Sequence, residues 1–155
     1  MQGADFYQYI DKFPELKKHF KGIFSIDTLP TKLNYRQFLI ANTDVHSGIG
    51  KHWFSFYRCS KNNIELFDSL SLTDEEKNLI LTYCKFQQDI IFNENSFQLP
   101  DSVSCGYFVL FYCIDRSFNL DLDFLTFLEF CFDENCEENE KKVSQFCADV
   151  LLDKY

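Results

Sequence analysis

Three residues have the types and spacing to act together in covalent chemistry, His52, Asp68 and Cys105, and an amide, Gln98, stands between the last two in the chain. A polar loop, residues 100–104, delivers Cys105 and Gly106 and then turns strongly apolar. Tyr107, Phe108, Leu110, Phe111 and Ile114 are apolar nearly all round, which reads as a buried helix running to about residue 116. Cys105 falls at its first turn, where unpaired N–H groups and the positive dipole end favour a thiolate, the form that attacks carbonyl carbon. Gly106 leaves room for a substrate backbone to come close. Most buried cysteines are core filler, so a nucleophile needs a base beside it.

His52 answers that need if the chain folds as a hairpin. Residues 52–58 and 64–68 carry strand formers, and residues 59–63 carry turn formers. A hairpin centred on Ser60 pairs Phe56 with Ile64, Phe54 with Leu66, and His52 with Asp68. Phe54, Phe56, Ile64 and Leu66 then form an apolar patch, expected to face the Cys105 helix. A lone histidine beside a strand is more often structural than catalytic. One opposite a carboxylate has its ring oriented and its imidazolium stabilised. His19 lies in a charged helix and His46 in a loop, neither with a comparably placed carboxylate.

Other elements must hold these residues. Residues 4–12 and 14–21 read as two short helices broken at Phe13-Pro14, with Gly22 as the C-cap of the second. An irregular apolar connector, 22–30, precedes a strand over 36–42 and a polar loop over 42–51. Thr73 with Glu76 forms a capping box for a helix over about 74–84. Residues 89–92 read as a short strand, 123–132 as a helix, 133–140 as an acidic, solvated loop, and 143–151 as a final amphipathic helix.

Composition sets the class. A chain of 155 residues is one domain able to bury roughly two-thirds of its unfolded surface. Nineteen Phe and eight Tyr promise an aromatic core. Seven cysteines without CxxC or Cys/His spacing argue against zinc and a disulfide framework, and for a reducing compartment. No metal or cofactor is expected. No apolar run reaches membrane length and no signal-peptide pattern opens the chain, so an intracellular protein is expected. The net charge of −9 makes it a poor nonspecific binder of nucleic acid.

The order His52, Asp68, Gln98, Cys105 is not that of papain-type enzymes, which present cysteine first. It resembles the adenain-like cysteine proteases, the adenovirus protease and its Polinton/Maverick relatives, within the clan that includes the SUMO-specific (Ulp-type) proteases. The resemblance rests on His52-Trp53 opening a strand, Leu66-Phe67-Asp68 ending the next, and Gln98 seven positions before Cys105-Gly106. It rests also on residues 22–30 followed by Ile40-Ala41-Asn42-Thr43, and covers about residues 22–116.

What the resemblance implies is an α+β fold: a central mixed sheet with helices around it and the nucleophile at the start of a buried central helix. By the same analogy Cys105 is the nucleophile, His52 the general base and then acid, and Asp68 its orienter. Gln98 would be an oxyanion-hole donor together with the Cys105 N–H. Trp53 and Gly106 would bind substrate, Trp53 roofing a narrow cleft that admits small residues. The implied activity is endopeptidase maturation of capsid or virion precursors of a virus or virus-like transposon, in host nucleus or cytoplasm or packaged in the virion. Two alternatives remain: a deSUMOylating or deubiquitinating isopeptidase of the clan, against which the small size and missing tryptophan-rich platform count, and an idle binding relative. Adenovirus proteases carry glutamate at the Asp68 position. Their DNA and disulfide-linked peptide activators are not carried over, because the chain is acidic and Cys84 does not fall on the equivalent position.

Overall fold

Strand β3 (Trp53–Tyr57) is buried along its whole length and β4 (Asn63–Phe67) along most of it, so both faces of their sheet must be covered. The computed structural model describes residues 1–43 and 52–155. Within them β1 (Phe20–Ser25), β2 (Phe38–Asn42) and β5 (Asp89–Phe92) complete a five-stranded sheet in the order β1-β2-β3-β4-β5. The outer pairs, β1 with β2 and β4 with β5, run parallel, while β3 is antiparallel to both its neighbours, β2 and β4. The sheet is therefore mixed and the fold α+β, as the sequence led one to expect.

One face carries α4 (Cys105–Ser117), packed with the helical turns α1 (Tyr7–Ile10) and α2 (Pro14–Lys17) and with α5 (Phe124–Cys131) and α6 (Cys136–Leu151). Phe108, Val109, Leu110, Tyr112 and Cys113 have no exposed surface, which is why the sequence of α4 has no polar face. The other face is covered by α3 (Asp74–Tyr83) and by Ile26, Leu33 and Leu72. The capping box holds the start of α3: Glu76 N–H donates to Thr73 Oγ1, and Thr73 N–H donates to the Glu76 carboxylate.

The structure corrects several expectations. Phe56 faces Leu66 rather than Ile64, a register shifted by two residues, because the turn is built further along: Asn63 N–H donates to Ser60 Oγ and Ser60 N–H to the Asn63 carbonyl. A two-residue shift preserves which side chains share a face, so Phe54, Phe56, Ile64 and Leu66 do form one patch. That patch faces α3, not α4. The α4 side takes Trp53, Tyr57 and Phe67. Alternation identifies residues that share a face, but with both faces apolar it cannot say which layer lies over which.

Further corrections are local. The second helical segment stops at Lys17, and Gly22 lies inside β1 at φ +149° beside a bulge in the β1–β2 register, a conformation that favours glycine. The presumed connector is therefore half strand. Residues 133–140 are not a loop throughout, since α6 begins at Cys136, capped by the Asn135 side chain accepting from Glu137 and Glu138 N–H. Carboxylates suit the first turn of a helix, so an acidic run is a poor sign of a loop there. Most of the predicted polar loop over 42–51, with His46, lies outside the described residues.

A buried ion pair ties α4 to the sheet. Arg116 Nε donates to Glu65 Oε1 at 2.7 Å and its Nη2 to Oε2 at 3.2 Å, with both side chains at most 1% exposed. Tyr112 OH donates to Oε1, and the guanidinium lies 5.1 and 5.0 Å from the Tyr57 and Phe127 ring centres. Removing one member leaves the other charge buried and unpaired. Arg116→Met should therefore lose about 3–5 kcal/mol in urea unfolding, and the double change Arg116→Met with Glu65→Leu should recover most of it.

Candidate active site

His52 immediately precedes β3 and Asp68 immediately follows β4. Both lie past the strand ends, where the pleat no longer dictates direction, so their contact survives the register shift. His52 Nε2 donates to Asp68 Oδ2 at 2.7 Å. The carboxylate is 1% exposed and is held from its other oxygen by Leu70 N–H at 2.8 Å. Asn93 braces its main chain on both sides: Asp68 N–H donates to Asn93 Oδ1, and Asn93 Nδ2 donates to the Asp68 carbonyl.

Cys105 is the first residue of α4 and 9% exposed; Tyr107 and Phe108 N–H donate to the Ser104 carbonyl, and no side chain caps the N–H groups of Cys105 and Gly106. His52 and the main chain of Trp53 and Gly106 act on the thiol through hydrogen bonding, and His52 through its charge as well. With Nε2 committed to Asp68, Nδ1 is the ring nitrogen that serves the thiol. Burial alone pushes the His52 pKa down, but hydrogen bonds and charge from Asp68 and Cys105 outweigh it and raise it to about 10. Burial likewise pushes the Cys105 thiol up, and the bonds from His52, Trp53 and Gly106 reverse that and bring it below the ordinary value. Both shifts favour a thiolate–imidazolium pair.

Gln98 is 1% exposed, seven residues before Cys105. Its Nε2 donates to the Ser102 carbonyl at 2.8 Å and its Oε1 accepts from Ser69 Oγ at 2.6 Å. Trp53, 8% exposed, points to the α4 side of the sheet and lies beside Gly106, whose α-carbon could bear a Cβ only at 3.4 Å from the indole Cδ1. The same Cβ would meet the Met1 side chain at 3.2 Å, and Trp53 Nε1 donates to the Met1 carbonyl at 3.2 Å. Met1 thus lies against both residues, its carbonyl on the Trp53 indole and its side chain on Gly106.

All six site residues singled out in the sequence are therefore gathered at one end of the sheet. Four others escaped that reading. Ser69 and Asn93 brace Gln98 and Asp68. From α6, Glu140 accepts Leu99 N–H at 3.1 Å and the Ser104 hydroxyl at 2.6 Å, and Asn139 donates to the Phe97 carbonyl. Single polar residues carry no pattern of their own, and the last two were hidden in what read as a solvated acidic run. Among the described residues no group of three or more His, Cys, Asp and Glu side chains could hold a metal ion, and no helix is long and apolar enough to cross a membrane.

No family model matches the chain, and no curated protein matches it. Among solved structures it is similar to AvrA, in a delL154 form with IP6 and CoA, at a TM-score of 0.52 and 17% identity, covering 88% of this chain and 53% of that one. At that identity the likeness is one of fold, and this chain spans about half the length of that protein. The fold, a mixed five-stranded sheet with helices around it and one of them buried at the centre, is consistent with the adenain/Ulp-like fold.

Five of the other cysteines shift the opposite way. All seven are free thiols. Burial pushes Cys84, Cys113 and Cys147 up to about 12, and raises Cys59 and Cys131 too. Iodoacetamide at about pH 6.5, two units below an ordinary thiol, should therefore label Cys105 first, with mass spectrometry of the peptides as the readout. Asp68→Asn removes a charge and an acceptor that favour the imidazolium, so the His52 pKa falls and that of Cys105 rises. The acid limb of the labelling profile should move upward in pH.

Proposed function

We propose that this chain is a cysteine endopeptidase acting through Cys105, His52 and Asp68, with Gln98 in the oxyanion hole. The observation that carries this reading is the buried Asp68–His52 hydrogen bond at 2.7 Å, with the Cys105 thiol on the other side of the ring at an uncapped helix start. The Cys105 thiolate attacks the scissile carbonyl carbon, and the resulting oxyanion takes hydrogen bonds from the Cys105 N–H and Gln98 Nε2. His52 gives its proton to the leaving nitrogen as the C–N bond breaks, leaving a thioester. It then takes a proton from water, which attacks the thioester and releases the acid and the thiolate.

The substrates we infer are proteins, specifically precursor proteins of a virus or virus-like transposable element. That part of the proposal rests on the resemblance of residues 22–116 to adenain-like proteases. An enzyme that depends on a free thiolate suits a reducing, intracellular setting. IP6 and CoA, named with the AvrA structure, are polyanions, and at a net charge of −9 this chain is a poor receiver for either. The same charge argues against a DNA activator.

The resemblance to adenain-like proteases implies that Trp53 roofs a narrow cleft, and a Cβ on Gly106 would stand only 3.4 Å from the indole. We therefore expect cleavage after sequences with glycine at one or both of the positions preceding the cut. Cut sites should be profiled on a denatured proteome, beside SUMO and ubiquitin C-terminal probes, which report the isopeptidase alternative. Wild type accepting bulky residues at both positions would sink the specificity claim. Trp53→Ala should relax the preference more than it lowers the melting temperature. Cys105→Ala should abolish turnover with the fold intact, and Gln98→Ala should lower kcat about 100- to 1,000-fold. Proteolysis retained in Cys105→Ala removes the catalytic assignment.

A further inference from the structure

Gln98 is held at both ends of its carboxamide, and the two ends do different work. The Ser102 carbonyl can only accept, so the nitrogen end must face it, as the 2.8 Å bond from Nε2 records. A hydroxyl can take either role, and that of Ser69 completes the arrangement by donating to Oε1 at 2.6 Å. Ser69 also holds the backbone beneath: its carbonyl accepts the N–H groups of Phe97 at 2.8 Å and Gln98 at 3.0 Å. Ser69 has no exposed surface and directly follows Asp68. It therefore joins the loop that orients the base to the loop that carries the amide. One Nε2 hydrogen goes to Ser102, and the second has no partner among the described residues. A donor contributes most to an oxyanion when it is aimed before the charge develops.

We propose that Ser69 is a positioning residue for the reaction: its hydroxyl locks the Gln98 carboxamide so that the second Nε2 hydrogen is presented to the oxyanion formed at Cys105. This rests on the cysteine-hydrolase reading and adds to it the group that orients the oxyanion donor. Ser69 itself touches no substrate. A hydroxyl that served only the fold would, when removed, weaken every property of the site together. An orienting hydroxyl affects the steps in which an oxyanion develops and spares those in which none does.

The test compares Ser69→Ala and Ser69→Cys, each alone and combined with Gln98→Ala, against wild type. Three readouts are taken: kcat and KM on a fluorogenic peptide amide ending in Gly-Gly, the iodoacetamide labelling rate of Cys105, and NMR exchange of the Gln98 side-chain amide protons. Ser69→Ala should lower kcat about 10- to 100-fold, part of the loss expected when such a donor is removed outright. KM should stay within about twofold of wild type. Labelling by iodoacetamide, which forms no oxyanion, should be unchanged, and Gln98 amide exchange should speed up. Ser69→Cys, with its weaker donor, should fall between, and it serves as the second variant if the alanine form folds poorly. In the Gln98→Ala background, Ser69→Ala should cost nothing further. Unchanged kcat in Ser69→Ala, equal losses in labelling and turnover, or additive losses in the double variant would overturn the proposal. A wild type that cleaves nothing overturns the hydrolase reading instead. The amide exchange still decides the orientation, since unchanged exchange in both Ser69 variants removes the role assigned to Ser69.

Discussion

A carboxylate at 1% exposure has to be surrounded by donors, and in this protein that carboxylate is Asp68. Left unpaired it would cost several kcal/mol. Its donors come from separate parts of the chain: Leu70 N–H from its own loop and the His52 ring from the entrance to β3. Because Asn93 grips the Asp68 main chain, the segment after β5 is drawn in as well. Ser71 Oγ then donates to the Glu94 carbonyl and Ser96 Oγ to the Leu70 carbonyl, stitching the two loops along their length. Satisfying one buried group has fixed the position of the imidazole and of the segment leading to Gln98.

Cys105 is referenced to the same strand from the opposite direction. At the C-terminal end of α4, Arg116 is clamped to Glu65 of β4, three residues before Asp68. At its N-terminal end, Ser104 donates to Glu140 of α6, and the Ser102 hydroxyl donates in turn to Ser104 Oγ. A helix buried along nearly its whole length and pinned at both ends cannot slide without breaking buried polar contacts. That rigidity matters because attack geometry tolerates errors of only about half an ångström. The apolar layer does the same work laterally, with Phe67 stacked on Tyr112 at 4.5 Å and on Phe132 at 5.7 Å between ring centres.

How much of this could be read from the chain depended on the kind of signal involved. Period and caps placed α3, α4, β5 and the β3–β4 hairpin, because those cues are local. His52 and Asp68 could be paired because a two-residue slip leaves side chains on the same face, and because both sit beyond the strand ends. The layer assignment failed for a physical reason: a strand buried on both sides has no polar face to mark the outside. Gly22 misled because a glycine after a basic cluster resembles a helix cap as much as a strand bulge. Ser69, Asn93, Asn139 and Glu140 were illegible because their role lies in long-range bonds to backbone and to one another. The resemblance to adenain-like proteases supplied the role of Gln98, which spacing alone did not.

The electrostatics of the pair explain why neither residue is activated by itself. Burial disfavours charge on both: it lowers the His52 pKa and raises that of Cys105. Each becomes charged because the other, with Asp68 and two backbone donors, replaces the water it has lost. Under cysteine hydrolysis this mutual dependence has a kinetic use. Once the thiolate has bonded to the scissile carbon, His52 loses the Cys105 charge and hydrogen bond that help hold its pKa at about 10, and retains those of Asp68. Its pKa must then fall, because burial still opposes the charge with one partner fewer. The imidazolium therefore becomes a stronger acid at the step where the leaving nitrogen needs a proton, and the resulting neutral ring is the base that the water then requires. Asp68 keeps the ring in place throughout, which is why its burial, rather than the reactivity of the thiol, is the constraint on which the site is built.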